Sequence, residues 1–145
     1  MQPTGYSQRP LAAKLGLKSG MRVRLIGAPA DYLEALGAVV AQVEFDDSAT
    51  SELDFIQVFA IHQSALMGSL PAQVSALAPN GALWLCWPKL SAKVPTDLRE
   101  QAVREAGLAA GLVDVKVAAI DTMWSGLKFV IRLQDRPRET ESTMA

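Results

Sequence analysis

The sequence has little of the chemistry on which most active sites depend. Its 145 residues include a single cysteine, Cys86, and a single histidine, His62. One cysteine excludes a disulfide within the chain, and one histidine without a cysteine pair cannot close a zinc site. The phosphate-binding pattern Gly-x-x-x-x-Gly-Lys is also missing. The sequence therefore predicts no metal centre, and no residue is assigned a catalytic role.

Long apolar runs and a secretory leader are missing as well. No stretch approaches the roughly 20 apolar residues that a membrane helix needs. The first residues do not show the charged start and apolar core of a signal peptide. We therefore expect a cytoplasmic protein that does not contact membranes.

Charge is segregated along the chain. Residues 1–24 hold five basic residues and no acid, whereas residues 25–88 hold seven acids and neither lysine nor arginine. Such segregation indicates either a polar surface for a partner or local segments that simply differ. Because the net charge is −1 and the isoelectric point is near 5.8, we expect no general binding of nucleic acid.

Apolar segments and turn residues alternate in a way that predicts strands separated by helices. Thr96 is expected to cap one helix and Pro71 to break or kink another, while residues 78–81 predict a turn. The strands are predicted at residues 22–27, 39–45, 53–60, 82–87, 113–119 and 127–133. The helices are predicted at residues 10–17, 32–36, 63–77 and 97–108.

This order predicts an α/β fold with a Rossmann-like, mostly parallel sheet of five or six strands and helices on both faces. Residues 82–87 are apolar on both faces, so they should form a central strand. The last two strands are joined by too few residues for a helical crossover, so the last strand should be antiparallel. Residues 1–9 are predicted to be a flexible arm, residues 10–133 a single domain and residues 134–145 a disordered tail.

The apolar positions of these strands define the predicted core. Cys86 falls inside the central strand, where it should behave as a small hydrophobic residue. The other predicted core residues are Val23, Leu25, Ile56, Val58, Leu83, Leu85, Val115, Val117, Phe129 and Ile131.

Short motifs in the second half of the chain resemble a known family. They are Leu77-Ala78-Pro79-Asn80-Gly81-Ala82-Leu83, Glu105-Ala106-Gly107-Leu108 and Phe129-Val130-Ile131-Arg132. Their order resembles the C-terminal half of class I S-adenosylmethionine (SAM)-dependent methyltransferases. The resemblance implies a methyltransferase-like fold, with SAM as the cofactor that such a fold would bind.

The whole chain also resembles a small bacterial family whose members are known only as a domain of unknown function. The motifs that carry this resemblance are Pro10-Leu11-Ala12-Ala13-Lys14-Leu15-Gly16, Trp87-Pro88-Lys89, Lys93-Val94-Pro95-Thr96-Asp97 and Trp124-Ser125-Gly126-Leu127-Lys128. This resemblance supports the fold and implies no particular reaction.

The loop after the first strand is where a methyltransferase would hold its cofactor over a glycine-rich turn. Here that loop is Ile26-Gly27-Ala28-Pro29-Ala30-Asp31, and the pattern Gly-x-Gly-x-x-Gly is absent. Asp46 and Asp47 follow at the distance expected of a ribose-binding acid, although acids after a strand also commonly form turns. Gly27 and Asp46 are therefore the cofactor-binding candidates.

Loops after four of the predicted parallel strands would open at one edge of the sheet. A pocket there could use indole faces and ammonium groups to bind an anionic or aromatic ligand. Alternatively, the tryptophans close the core, the lysines are solvated and the histidine merely begins a helix. The candidate ligand-binding residues are Trp124, Ser125, Lys128, Lys89, Trp87 and His62.

The missing glycine loop beside an intact second half favours a non-catalytic or accessory binding domain. Such a domain would bind a small anionic ligand or a protein partner and would need no cofactor. The alternative is a SAM-dependent transferase with an atypical cofactor loop. We also expect Trp124 to be covered, either by the N-terminal arm or by a ligand or partner.

Overall fold

Strands and helices alternate along the computed structural model, which describes residues 10–135. The strands are β1 (Arg22–Ile26), β2 (Glu44–Phe45), β3 (Leu53–Phe59), β4 (Leu77–Pro88), β5 (Leu112–Ala119) and β6 (Trp124–Ile131). The helices are α1 (Leu11–Leu15), α2 (Tyr32–Leu36), α3 (Gln63–Ala76) and α4 (Glu100–Ala109). The predicted arm and residues 136–145 of the predicted tail lie outside the described residues.

The six strands form one sheet in the order β2-β1-β3-β4-β6-β5. The neighbours β2, β1, β3 and β4 are parallel, whereas β6 is antiparallel to both β4 and β5. The prediction of a mostly parallel sheet with an antiparallel last strand is therefore confirmed. Residues 82–87 lie within β4, which is central as predicted, because β3 and β6 pair with it on either side.

Each face of the sheet carries its own core. On one face, Leu83, Leu85 and Trp87 of β4 pack with residues of α3 and α4, and we call this the α3 face. On the other, Trp84 and Cys86 pack with residues of α1 and α2, and we call this the α1 face. Helices therefore cover both faces, as predicted, and this double burial explains why β4 is apolar without alternation.

The short helix α1 is fastened to the sheet through the carbonyl groups of its last turn. The Trp84 indole N–H donates to the Leu15 carbonyl at 3.0 Å, and the Lys116 ammonium donates to the Lys14 carbonyl at 3.0 Å. Gly16 ends the helix in the left-handed region at φ 82°. Side chains of β4 and β5 thus satisfy carbonyl groups that a helix end otherwise leaves without partners.

The strand predicted at residues 39–45 is wrong for most of its length. Residues Gly37–Gln42 form a 3₁₀ helix, and β2 has only two residues. In a strand, Val39 and Val40 would point to opposite faces of the sheet. In the 3₁₀ helix both pack against the core of the α1 face, and this shared burial favours the helix.

The effect predicted for Pro71 is also partly wrong, because α3 continues through this residue and is not divided. A proline inside a helix removes one N–H, which leaves the carbonyl group four residues earlier without its helical partner. That residue is Met67, and both Met67 and Pro71 are exposed. Water can therefore hydrate the freed carbonyl group, and the helix persists.

Three predicted boundaries shift. Residues 78–81 lie within β4 rather than in a separate turn, at a register shift between the pairs Leu53–Leu77 and Phe55–Ala82. The helix α4 begins at Glu100 rather than at residue 97. The last strand begins at Trp124 rather than at residue 127, because the Asp121 carboxylate accepts the N–H groups of Met123 and Trp124 and completes the turn early.

Burial follows the predicted core except on β5. Val23, Ile56, Val58, Leu83, Leu85 and Phe129 are buried, and Leu25 and Ile131 are half-buried. Val115 and Val117, however, are 53% and 48% exposed, so their prediction as core is wrong. The strand β5 lies at the edge of the sheet, and these two side chains stay open to solvent there.

Replacing Leu85 by Ala should lower the free energy of unfolding by about 2–5 kcal/mol, because Leu85 is fully buried in the central strand. Val117→Ala is the matched control, and an exposed site on the edge strand should change stability by no more than about 0.5 kcal/mol. Urea unfolding of both variants measures the difference. A loss below about 1 kcal/mol for Leu85→Ala would contradict the central position of β4.

Candidate functional site

The carboxyl ends of β1, β3, β4 and β5 lie at one edge of the sheet, together with the start of β6. Register places Pro88 of β4 opposite Trp124 and Trp87 opposite Ser125. His62 comes after β3 and precedes α3, and the Lys89 N–H donates to the Met123 carbonyl at 2.7 Å. Five of the six ligand-binding candidates therefore share this edge, namely Trp124, Ser125, Trp87, Lys89 and His62.

The two tryptophans lie on opposite faces of the sheet. Trp87 is 5% exposed and belongs to the core of the α3 face. Trp124 is half-buried and packs against the α1 face, where its ring meets Phe59 edge to face at a centroid distance of 5.1 Å. The two indoles thus share an edge but do not line one pocket.

Lys128 lies away from this edge. It pairs with Trp84, four residues along β6 from Trp124. Burial, and then the nearby charges of Lys116 and Lys18, lower the pKa of its ammonium group. None of the ion pairs within residues 10–135 involves these three lysines, which we call the lysine cluster.

The strand order reverses between β1 and β3, and in open α/β sheets ligands bind in the crevice at such a point. At this point Gly27 and Phe59 lie side by side. Gly27 follows β1 at φ 69°, and a Cβ atom on it would lie 2.6 Å from the Phe59 carbonyl oxygen. The paired strands β1 and β3 therefore stay in close lateral contact up to their ends, and residue 27 has no room for a side chain.

Aromatic rings fill the α1 face of the same edge. The Tyr32 ring meets Phe59 edge to face at 4.9 Å, and Phe59 meets Trp124 in turn. The Tyr32 hydroxyl donates to the buried Gln57 amide oxygen at 2.7 Å, and burial raises the pKa of Tyr32. Three rings thus form a row over the strand ends, and the first is fixed by a buried hydrogen bond.

The two cofactor-binding candidates, Gly27 and Asp46, are not brought together. The Asp46 N–H donates to the Val23 carbonyl, and Phe45 pairs with Val23. Asp46 therefore sits three residues before the level of Gly27, about 10 Å along the strand direction. Its carboxylate already accepts from Arg22, Ser48 and Ala49, and the hydrogen bond from Arg22 lowers its pKa.

Cys86 is buried, as predicted, and its thiol is not available for chemistry. The buried Gln57 amide nitrogen donates to the Cys86 Sγ at 3.4 Å. Burial raises the pKa of Cys86 to about 12. A thiolate is the reactive form, so this residue is inert at neutral pH.

His62 is exposed, and its side chain does not cap α3. The cap comes instead from Asp97, whose carboxylate accepts the Gln63 N–H at 2.7 Å. Thr96 donates to the Ile61 carbonyl and accepts the Leu98 N–H, so it closes a local turn rather than beginning α4. Residues 96–97 thus form hydrogen bonds with the backbone at the start of α3. The local sequence pattern does not reveal these contacts, because the two segments are far apart in the sequence.

Sequence reasoning missed Arg24. This residue lies in β1, which was predicted only as a largely apolar strand, and it is 7% exposed. It lines a cleft of about 520 Å³ on the α3 face, beside Gln73 of α3. An arginine between Val23 and Leu25, inside a strand expected to be buried, was the available signal.

Residues 10–135 contain no group of three His, Cys, Asp or Glu side chains placed to hold a metal ion. Over the same range, no helix has both the length and the apolar character needed to cross a membrane. The predicted cover of Trp124 by the N-terminal arm lies outside the described residues.

Solved structures share this fold. A SAM-dependent methyltransferase from Aquifex aeolicus aligns with a TM-score of 0.60 and 18% identity, over 84% of this chain and 88% of the other. The magnesium protoporphyrin IX methyltransferase of Synechocystis PCC 6803, solved with bound SAM, aligns with a TM-score of 0.60 and 13% identity, over 84% and 74%. A TehB-like SAM-dependent methyltransferase from Corynebacterium glutamicum aligns with a TM-score of 0.54 and 10% identity, over 88% and 90%.

This chain therefore has the Rossmann-like fold of class I SAM-dependent methyltransferases, and identities this low show the fold alone. No protein-family model matches the sequence, and neither does any curated protein. The resemblance to a bacterial family of unknown function stays a prediction, as do the ligand-binding roles of the six candidate residues.

Replacing Gly27 by Ala should destabilise the fold by at least about 2 kcal/mol more than Gly111→Ala, because of the added contact with Phe59. Gly111 is the matched control, since its φ is also positive, at 92°, but a Cβ atom there meets nothing within 4 Å. Thermal or urea unfolding gives both values. Equal losses would contradict the close approach of residue 27 to the Phe59 carbonyl group.

Cys86 should resist iodoacetamide in the folded protein at pH 8 and react readily once the protein is unfolded in urea, because its buried thiol has a raised pKa. Mass spectrometry of the time course measures the modified fraction. Alkylation of the native protein at the rate of the unfolded chain would contradict the burial of Cys86.

Proposed function

We propose that this chain is a non-catalytic or accessory binding domain built on a methyltransferase fold, with a small anionic ligand or a protein partner as its target. The observation that carries the proposal is the row of packed rings at the carboxyl edge beside β1 and β3. Tyr32, Phe59 and Trp124 occupy the α1 face of that edge, and Gly27 is the one glycine of the loop after β1. A transferase needs that space for its cofactor.

The distribution of positive charge supports an anionic ligand. The lysine cluster has no carboxylate partner within residues 10–135, and the same is true of the buried Arg24. A positive group with no negative neighbour is stabilised when an anion binds, most strongly where water is excluded. The half-buried Trp124 and Lys89 remain the candidates for contact with a partner at the carboxyl edge.

A SAM-dependent transferase with an atypical loop is the alternative. One observation favours it: the fold is shared with enzymes solved with bound SAM, and a glycine with positive φ still follows β1. For such an enzyme, the cofactor would have to bind beside the packed rings of Tyr32, Phe59 and Trp124. Asp46 would also need to exchange its present partners for a ribose.

Isothermal titration of the full chain with SAM and with S-adenosylhomocysteine separates the two functions. A binding domain that does not use SAM should show no affinity for either compound tighter than about 100 μM, which corresponds to about −5.5 kcal/mol. As a control, a methyltransferase of the same fold that binds SAM is titrated under the same conditions, which shows that the SAM preparation is intact. Tighter saturable binding of either compound would overturn the proposal and support the transferase.

A further inference from the structure

The cleft beside β1 exists because no helix joins β2 to β3. Residues 46–52 connect these strands directly, so the α3 side of β1 is covered only in part. The cleft has a volume of about 520 Å³ and lies between this connection and the second half of α3. Its wall is apolar at Ile26, Ala49 and Ala72.

Arg24 is the positively charged residue in the wall of this cleft, and its hydrogen bonds go only to neutral acceptors. Nε donates to the Asp46 carbonyl at 3.3 Å, Nη1 to the Gln73 amide oxygen at 2.9 Å, and Nη2 to the Ala49 carbonyl. A guanidinium group has five N–H donors. Within residues 10–135, one N–H on Nη1 and one on Nη2 therefore have no acceptor.

Arg22 lies on the same strand and, unlike Arg24, forms ion pairs with neighbouring acids. It precedes Arg24 by two residues, so both side chains leave the same face of β1. Arg22 pairs with Asp46 at 2.8 Å and with Glu44 at 3.5 Å, and it is partly exposed. Arg24 is more deeply buried and has no such pair within the described residues, although a buried charge needs a partner more than an exposed one does.

Two neighbouring N–H groups on a guanidinium match the two oxygens of a carboxylate. Asp47, Thr50 and Ser75 also line the cleft, and all three are exposed. Asp47 would repel a ligand that is only anionic, whereas Arg24 would repel one that is only cationic. A ligand that carries both charges satisfies both residues.

We propose that this cleft binds a small zwitterion, of which an α-amino acid with an apolar side chain is the simplest. Its carboxylate binds Arg24, its ammonium group faces Asp47, and its side chain lies on the wall formed by Ala49 and Ala72. The proposal rests on the proposed binding function and deepens it, because it moves the ligand from the carboxyl edge to the α3 face.

The test is an NMR titration of the full ¹⁵N-labelled chain with three probes that share one branched apolar group: leucine, 4-methylpentanoate and 3-methylbutylamine. Leucine should shift the amide signals of Leu25, Ala49 and Gln73 saturably. 4-Methylpentanoate, which lacks the ammonium group, and 3-methylbutylamine, which lacks the carboxylate, should each bind at least about tenfold more weakly than leucine. No saturable shift with leucine, or equal binding of leucine and the amine, would overturn the proposal.

Variants locate the site. Arg24→Met should abolish leucine binding, and Arg24→Lys should weaken it about fivefold or more, because the paired N–H groups are lost while the charge stays. Asp47→Asn, at an exposed position, should remove the preference for leucine over 4-methylpentanoate even if Arg24→Met fails to fold. Arg22→Lys is the matched control and should leave leucine affinity unchanged.

Lys128→Met separates failure of this proposal from failure of the binding function. If leucine binding is lost in Lys128→Met and kept in Arg24→Met, the cleft is wrong and the lysine cluster is the anion site. Unchanged affinity in Lys128→Met supports the cleft. Binding of SAM would overturn the proposed function whatever the leucine titration shows.

Discussion

Gly27 follows β1 with a positive φ and lies against the carbonyl group of Phe59, and this close approach keeps the paired strands β1 and β3 side by side up to the point where the strand order reverses. The aromatic row of Tyr32, Phe59 and Trp124 then packs over the same edge from the α1 face. This fold commonly holds a cofactor at that edge, and here packed rings occupy its α1 face.

Polar groups buried in the two cores follow one rule, which is that each has a partner within the chain. Gln57 accepts from Tyr32 and donates to Cys86 on the α1 face, while Gln73 accepts from Arg24 on the α3 face. No buried side-chain nitrogen or oxygen among residues 10–135 lacks a hydrogen bond. Each side-chain nitrogen of Arg24 donates a hydrogen bond, so Arg24 follows this rule. It differs from the other buried polar residues because it carries a charge, and that charge has no ion-pair partner among residues 10–135.

The sheet could be predicted from the sequence because its signals are local. Residues 82–87 are apolar on both faces, and a short connection before the last strand requires an antiparallel partner. The 3₁₀ helix at residues 37–42 could not be predicted in this way, because its valines are placed by packing against the α1 face. The candidate site was predicted in part: five residues do share an edge, but the face on which each side chain lies depends on strand register.

The docking of α1 has a consequence for the order in which the chain folds. The groups that hold its last carbonyls belong to Trp84 and Lys116, which lie 69 and 102 residues further along the chain. A five-residue helix is too short to persist alone in water. During synthesis, α1 therefore leaves the ribosome early and stays unstructured until β4 and then β5 have emerged, so the N-terminal segment is among the last parts of the domain to become native.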